Sequence, residues 1–317
     1  MSMADHLLAL ALGFLLDLLL GDPAWLYHPV CAIGRYIAFM EKRLRRRGGN
    51  LRRSAVVLTA STVLLTMAVT AALLGLLSLW GRWPGLIGMA VMDWLGIAVT
   101  SMAREARGVE KALASGVAAG RKQVARIVGR DTQNLSEDDV IRATVETVAE
   151  NTTDGVISPL LYGAIGGPVL LWGFKAASTL DSMVGYLDEK YRDIGWSSAR
   201  LDDVLNYIPA RITAVLFIVS AWLLGFDSRN AMRMMQRDAA KHPSPNGGYA
   251  EATVAGALHI RLGGINSYFG KKSFRAYMGE AIERTAPKHI MESIRMMYTA
   301  TVLFLIFAYA LLKCMGY

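Results

Sequence analysis

The sequence is poor in charge and has almost no cysteine. Only 19% of its 317 residues are Asp, Glu, Lys or Arg, below the roughly 25% of soluble domains, which argues against a soluble protein. Cys31 and Cys314 stand far apart, so neither a disulfide framework nor a cysteine metal site is expected. Gly-x-Ser-x-Gly and His-Glu-x-x-His motifs, and Gly-x-Gly-x-x-Gly before a helix, are absent. Hydrolase, zinc-protease and Rossmann interpretations therefore have no support.

Long apolar runs are abundant instead. Residues 54–80 contain 27 positions without a charge, enough to cross a bilayer, which needs about 20. Further apolar segments cover 4–20, 84–102, 156–174, 212–226 and 296–312. The fold class predicted is an all-α polytopic integral membrane protein with about five or six apolar segments, forming a single membrane-embedded domain over 1–317. Segment 156–174 contains Pro159, Gly163, Gly166, Gly167 and Pro168, so we expect it to be broken or re-entrant.

The charged residues indicate a topology. Seven basic residues between 42 and 53 flank the run at 54–80, as expected of a cytoplasmic loop that contacts anionic lipid. The polar helical segment 103–155 and the polar segment 227–297 are expected on the same side. The acid-rich loop 175–207 falls on the far side by strict alternation, whereas a shared site requires it near 146–154, and the sequence leaves this open. The net charge is +8, but no aromatic-interleaved basic platform supports nucleic-acid binding.

A stripe of carboxylates precedes the broken segment. Glu146, Glu150 and Asp154 recur every four residues, so they share one helix face, with Asn151 beside it. Like charges at this spacing repel, and the stripe therefore needs a cation. The alternative is a solvated face on which Arg142 pairs with Glu146. Ser136 and Asp139 form a capping-box-like start for this helix.

Two further clusters follow. Lys175, Ser178, Thr179 and Ser182 fall on one helix side near Asp181, which suits a phosphate cradle; a snorkelling lysine beside small residues is the alternative. The spacing of Asp202, Asp203 and Asn206 suits Mg²⁺ and also resembles the aspartate-rich sites of prenyl-transferring enzymes. The alternative there is a helix cap with an Arg200–Asp203 pair.

The polar segment 227–297 contains a turn signal at Asn246-Gly247-Gly248, whose backbone amides are candidates for holding an anion. Glu251 and Arg261 follow it. The stretch Gly264 to Ser273 resembles a phosphate-binding loop, but its spacing is wrong. His28 is the one histidine beside a membrane boundary and a Gly-Asp-Pro turn, although a lone histidine is more often structural.

In this order, the motifs resemble the adenosylcobinamide-phosphate synthase family of cobalamin biosynthesis (the CbiB/CobD membrane proteins). The resemblance covers nearly the whole chain. It rests on the following stretches: Gly21-Asp22-Pro23 with His28-Pro29-Val30, Gly129-Arg130-Asp131-Thr132, Glu146 to Asn151 with Asp154-Gly155, Thr179 to Tyr186, Ala199 to Asp203, Asn206, Pro209-Ala210-Arg211, Pro245-Asn246, Ala255 to Leu258, and Arg261 to Gly264.

The resemblance implies an ATP-dependent, Mg²⁺-requiring ligase that joins 1-aminopropan-2-ol phosphate, or aminopropanol, to the free carboxyl of adenosylcobyric acid. It implies a corrinoid substrate, the lipid bilayer and other cobalamin nucleotide-loop assembly enzymes as partners, and a multi-pass location in the cell (inner) membrane with a cytoplasm-facing site. Laid over the clusters, this reaction predicts Glu146, Glu150, Lys175 and Asp181 as catalytic residues and Asp202, Asp203 and Asn206 as metal ligands. The predicted substrate and phosphate contacts are His28, Arg130, Asn151, Asp154, Thr179, Ser182, Arg200, Arg211, Asn246, Glu251 and Arg261.

Two other functions remain open at this point. An intramembrane prenyl-type transferase would share Asp202-Asp203-x-x-Asn206, but such enzymes usually have two aspartate-rich motifs and about nine spans. A transporter or a non-catalytic scaffold for corrinoid assembly is the second alternative. Transporters tend to contain inverted repeats, and none is visible in the sequence.

Overall fold

The computed structural model describes residues 2–23, 25–186, 188–268 and 270–314. It is mostly helical, and six stretches are long and apolar enough to cross a membrane, as predicted. These stretches are Met3–Leu20, Leu51–Ser78, Arg82–Leu113, Glu137–Val184, Tyr207–Leu224 and Lys288–Cys314. The all-α, multi-pass membrane fold is therefore confirmed.

The chain divides into two compact units. The first comprises Met1–Ala98, Ser158–Asn206 and Leu305–Tyr317, and the second comprises Val99–Ile157 and Tyr207–Phe304. Both predicted polar segments, 103–155 and 227–297, fall in the second unit.

The first unit is built from α1 (Met3–Leu20), α2 (Pro29–Arg47), α3 (Leu51–Ser78), α4 (Arg82–Gly96), α8 (Ser158–Val184), α9 (Trp196–Leu205) and the end of α13 (Lys288–Cys314). Helix α3 exposes most of its apolar side chains, among them Leu64 and Leu76, as expected of a face in contact with lipid. Small residues let the helices approach closely. A Cβ on Gly13 of α1 would lie 2.9 Å from the Cβ of Asp93 in α4.

Helix α8 contains the break that the sequence predicts. Gly166 and Gly167 have non-helical backbone angles, with φ of −136° and +62°, and Pro168 follows them. A positive φ favours glycine, and proline removes a helical hydrogen bond. The local sequence is therefore sufficient to explain the kink.

The second unit contains α5 (Val99–Leu113), α6 (Val117–Val124), α7 (Glu137–Thr152), a π-helix (Thr153–Ile157), α10 (Tyr207–Leu224), α11 (Ser228–Asp238), a 3₁₀ turn (Ala239–Lys241), α12 (Gly247–Ala257), β1 (Arg261–Tyr268), β2 (Lys271–Gly279) and the start of α13. The predicted capping box is present, since Ser136 caps α7 and Asp139 bonds back to it. Strands β1 and β2 pair in an antiparallel hairpin with an irregularity between Leu262 and Gly264. No sequence pattern predicted this hairpin.

Candidate functional site

A buried carboxylate of α7 organises a cluster of charges in the second unit. Glu146 is 1% exposed at its side chain and accepts hydrogen bonds from Arg130 Nη2 at 2.6 Å and Arg142 Nη1 at 3.3 Å. The backbone N–H of Gly263 donates to the same carboxylate at 2.8 Å. The structure thus supplies the cations that the acidic stripe requires. Arg142, weighed in the sequence as a surface partner, is itself buried.

Strand β1 makes this arrangement possible. Gly263 has a φ of +86°, which places its N–H toward Glu146 while its carbonyl accepts a hydrogen bond from Arg142. Arg130 also donates to Asn266 Oδ1 at 2.7 Å. Asp131 fastens the preceding loop to the hairpin by accepting from Ser267 Oγ and from the N–H of Gly270.

A second buried carboxylate belongs to α12. Glu251 is fully buried, and its Oε1 accepts from Arg275 Nη2 at 3.1 Å. Oε1 also lies 3.5 Å from His242 Nε2. Burial raises the pKa of Glu251 well above its usual value, and the nearby charges of Glu146 and Glu150 add to this while Arg275 opposes it. Burial and then the charge of Arg275 lower the pKa of His242 to about 4, so this imidazole is neutral at physiological pH.

Several buried polar atoms in this cluster lack a hydrogen-bond partner among the described residues. They are Glu251 Oε2, His242 Nε2 and Asn266 Nδ2. Glu150, one turn after Glu146, makes no hydrogen bond or ion pair within the part of the chain that the structure describes. Buried polar groups are usually paired, so unsatisfied atoms concentrated in one cluster indicate a place where a polar ligand or water binds. We call the set Arg130, Arg142, Arg275, Glu146, Glu150, Glu251, His242 and Asn266 the Arg–Glu cluster.

A cleft of about 1010 Å³ adjoins the Arg–Glu cluster. Arg142 and Asn266 belong to both the cluster and the cleft lining, and Gly263, which donates to Glu146, also lines the cleft. The outer wall includes Arg261, whose guanidinium lies 4.2 Å from the ring centre of Tyr277. The cleft lining therefore combines two arginines, an amide side chain and an aromatic ring.

Arg211 of α10 makes cation–π contacts with two tyrosines at a separate place in the same unit. Its guanidinium lies 3.5 Å from the ring centre of Tyr207 and 4.2 Å from that of Tyr249. Nη1 donates to Asn246 Oδ1 at 3.0 Å. The predicted residues Arg211 and Asn246 are thus in contact. The amides of Asn246 and Gly247, which the sequence suggests as an anion site, instead donate to Ser244 Oγ.

The predicted metal ligands lie in the first unit. Asn206 Nδ2 donates to Asp202 Oδ2 at 2.9 Å, and Ser158 Oγ donates to Asn206 Oδ1 at 2.6 Å. Burial raises the pKa of Asp203, while the charge of Arg200 lowers it. No group of three or more His, Cys, Asp or Glu side chains positioned to hold a metal occurs among the residues described. The Mg²⁺ prediction therefore relies on two carboxylates and an amide.

The other predicted residues of the first unit occupy α8 and the start of α2. Thr179 Oγ1 donates to the carbonyl of Lys175, and Asp181 lies against Gly185. Ser182 is exposed and contributes its carbonyl to Tyr186. His28 caps α2 by accepting from the N–H of Val30, which is the structural role expected of a lone histidine.

The end of the acidic stripe is irregular. Asn151 Nδ2 donates to the carbonyl of Thr147, and Asp154 falls in the π-helix Thr153–Ile157. A π-helical turn is rare and is often associated with functional sites. It also shifts Asp154 away from the strict four-residue spacing on which the predicted stripe depends.

Sequence reasoning missed three members of the Arg–Glu cluster: Arg275, His242 and Asn266. Each reaches the cluster through tertiary packing rather than helical spacing. The sequence contains only a weak signal for them. Gly263-Gly264 and Gly270 flank a short run that includes Asn266, and Arg275 lies in the strand that pairs with this run.

The chain is similar to known proteins over most of its length. A family model described as CobD/CbiB protein matches residues 10–297. The cobalamin biosynthesis protein CobD of Pelobacter propionicus is 47% identical over 92% of this chain and 91% of its own length. The protein of the same name from Geobacter metallireducens is 45% identical over 93% of both chains, and that from Halalkalibacterium halodurans 44% over 97% of both. No solved structure matches the chain.

Proposed function

Because the chain belongs to the CobD/CbiB family of cobalamin biosynthesis proteins, we propose that it is an amide-forming ligase of that pathway. In this proposal it joins (R)-1-aminopropan-2-ol O-phosphate, or aminopropanol, to the free carboxyl of adenosylcobyric acid. The product is adenosylcobinamide (phosphate).

The observation that carries the proposal is the Arg–Glu cluster at the edge of a large cleft. Arginine recognises carboxylate and phosphate through paired N–H donors, and both groups occur in these substrates. Arg142 and Arg261 both line the cleft. The volume of about 1010 Å³ lies at the upper end of the roughly 300–1,000 Å³ typical of ligand pockets, which suits a bulky corrinoid.

The chemistry requires activation because forming an amide from a carboxylate and an ammonium is unfavourable in water. ATP is the proposed source, with the carboxylate converted to an acyl phosphate. Lys175 and Arg211 are the residues proposed to balance the negative charge of the transferred phosphoryl group, where positioning and charge account for most of the catalysis. Arg200 or Arg261 is proposed to bind the phosphate of the amine.

Asp202, Asp203 and Asn206 fit a magnesium ion by donor chemistry. All three offer oxygen, the ligand atom that Mg²⁺ prefers. Asn206 Oδ1 already accepts a hydrogen bond from Ser158, but it retains a second lone pair. A bound magnesium ion would neutralise nucleotide phosphate charge. The remaining catalytic work is assigned to the side chains of the chain itself.

The location proposed is the cell inner membrane, with the cleft facing the cytoplasm. Its support is the basic composition of the segment 227–297, which contains part of the cleft lining, because basic segments favour the cytoplasmic side. Water-soluble ATP and amine would then reach the site directly, and enzymes that complete the nucleotide loop are proposed as neighbours.

The proposal is tested with purified protein in nanodiscs. The reaction contains adenosylcobyric acid, Mg²⁺, ATP and one amine, and the product is identified by mass. We expect adenosylcobinamide phosphate with the phosphorylated amine, or adenosylcobinamide with aminopropanol, and neither product when ATP is omitted. Folded protein that forms no amide with either amine would contradict the proposal and would favour a scaffold or transport function instead.

A further inference from the structure

The acidic side chains of the Arg–Glu cluster are not equivalent. Glu146 accepts hydrogen bonds from two arginines and a backbone N–H. A carboxylate held this way has a structural task, which is to fix Arg130 and Arg142. Glu150, by contrast, has no bonding partner among the residues described, although it lies close enough to the cluster for its charge to act on Glu251 and Arg275.

Glu251 faces the cluster with one oxygen engaged and one oxygen open. Arg275 donates to Oε1, while Oε2 is buried and has no partner among the described residues. His242 Nδ1 accepts from the N–H of Ser244 at 3.0 Å, so the neutral ring carries its hydrogen on Nε2, beside Oε1. Arg275 fixes Oε1, and Oε2 is the oxygen left for a ligand.

An ammonium group has three N–H donors and no acceptor, and its positive charge favours the ionised form of a nearby carboxyl group despite burial. Two carboxyl groups with an oxygen left for a ligand therefore match it. We propose that Glu150 and Glu251 together bind the ammonium group of the amine substrate, and that Glu150 removes its proton. This inference rests on the proposed function, and it selects Glu150 over Glu146 as the base. Arg275 and His242 are positioning residues because they act through Glu251.

The proton and electron balance of the step is complete. Glu150 takes one proton from the ammonium, and the nitrogen lone pair that is released attacks the carbonyl carbon of the acyl phosphate. The carbon–oxygen bond to phosphate then breaks, and its electron pair leaves with inorganic phosphate. The second proton lost from nitrogen passes to that phosphate, and the proton on Glu150 returns to solvent.

Hydroxylamine distinguishes the base from the rest of the machinery. It is mostly uncharged at neutral pH, so it traps an acyl phosphate as a hydroxamate without needing a base. General-base catalysis contributes about 10²–10⁴-fold. We expect Glu150→Gln to lower amide formation with aminopropanol phosphate by about 10²-fold or more and to leave ATP-dependent hydroxamate formation at about the wild-type rate. Glu137→Gln, at an exposed position of the same helix, is the matched control and should change neither rate.

The Glu251→Gln variant tests the binding half of the proposal. It should raise the KM for the amine while hydroxamate formation continues. Equal loss of amide and hydroxamate in both Gln variants would overturn the inference, because it would show a structural role or a role in activation. Retention of full amide formation by Glu150→Gln would overturn it as well. Failure of the proposed function is distinct, since wild-type protein would then form neither product.

Discussion

Replacing Glu146 with glutamine should destabilise the second unit more than the loss of an exposed ion pair does. The substitution keeps the shape of the side chain but removes its charge, leaving Arg130 and Arg142, whose side chains are 6% and 10% exposed, without a full counter-charge. Breaking a buried ion pair from one side costs about 3–5 kcal/mol. Because glutamine retains one acceptor, we expect about 3 kcal/mol, at the lower end of that range.

The assay is apparent thermal stability in a fixed detergent, followed by size-exclusion chromatography. At about 2–4 °C per kcal/mol for a domain of this size, Glu146→Gln should lower the midpoint by about 6–12 °C. The control is Glu105→Gln, which removes the same charge from a pair with Arg126 whose side chain is 62% exposed; such pairs contribute about 0–1 kcal/mol. Equal midpoints for the two variants would refute the view that Glu146 is the centre of the buried cluster.

Four further predictions follow from individual contacts. Although burial raises the pKa of Asp238, bonds from Arg237, Lys241 and the N–H of Gly279 lower it to about 2. Asp238→Asn should therefore lower the free energy of unfolding by about 2 kcal/mol at neutral pH. In a melting series at different pH values, the difference between variant and wild type should shrink as the pH falls from 3.8 toward 2. The pKa of His242 is about 4, below its ordinary 6.5, so the unfolded chain binds a proton more readily than the folded one. As the pH falls from 6.5 toward 4, this lowers the free energy of unfolding by at most about 3 kcal/mol. His242→Asn should therefore melt with a weaker pH dependence in that window. Gly263→Ala should abolish folded, monodisperse protein, since the φ is +86° and the added Cβ would clash with the carbonyl oxygen of Ala276; a normal elution profile would contradict this. Asp202→Ala should abolish turnover at every Mg²⁺ concentration tested, and retained turnover would exclude the metal assignment.

The membrane fold was largely predictable because its signals are local. The six apolar segments, the cap at Ser136 and the break at Gly166-Gly167-Pro168 each depend on a short stretch of sequence. The hairpin Arg261–Gly279 was missed because its glycines and basic residues obscure the alternation expected of a strand. Its exposed strand β2 carries little of the burial pattern that identifies strands.

The candidate site was predictable only in part. The resemblance pointed to Glu146 and Arg130, and Glu251 was selected from the cluster after the Asn246-Gly247-Gly248 turn. The spacing of the acidic stripe indicated the need for a cation. Arg275 and His242 lie 24 and 9 positions from Glu251 in sequence and meet it through packing of β2 and the loop before α12. No periodicity in the sequence predicts these contacts. The difference between Glu146 and Glu150 also became visible only from the hydrogen bonds in the structure.

The most direct test of the central claim uses adenosylcobyric acid labelled with ¹⁸O in its free carboxyl group. Mass spectrometry follows the label after turnover with ATP and the amine in nanodiscs. Our account predicts that the amide keeps one labelled oxygen and that the other appears in inorganic phosphate, because the carboxylate is activated as an acyl phosphate. Amide formation without label in phosphate, or transfer of the label to AMP, would contradict that activation, and the absence of amide would contradict the ligase assignment itself.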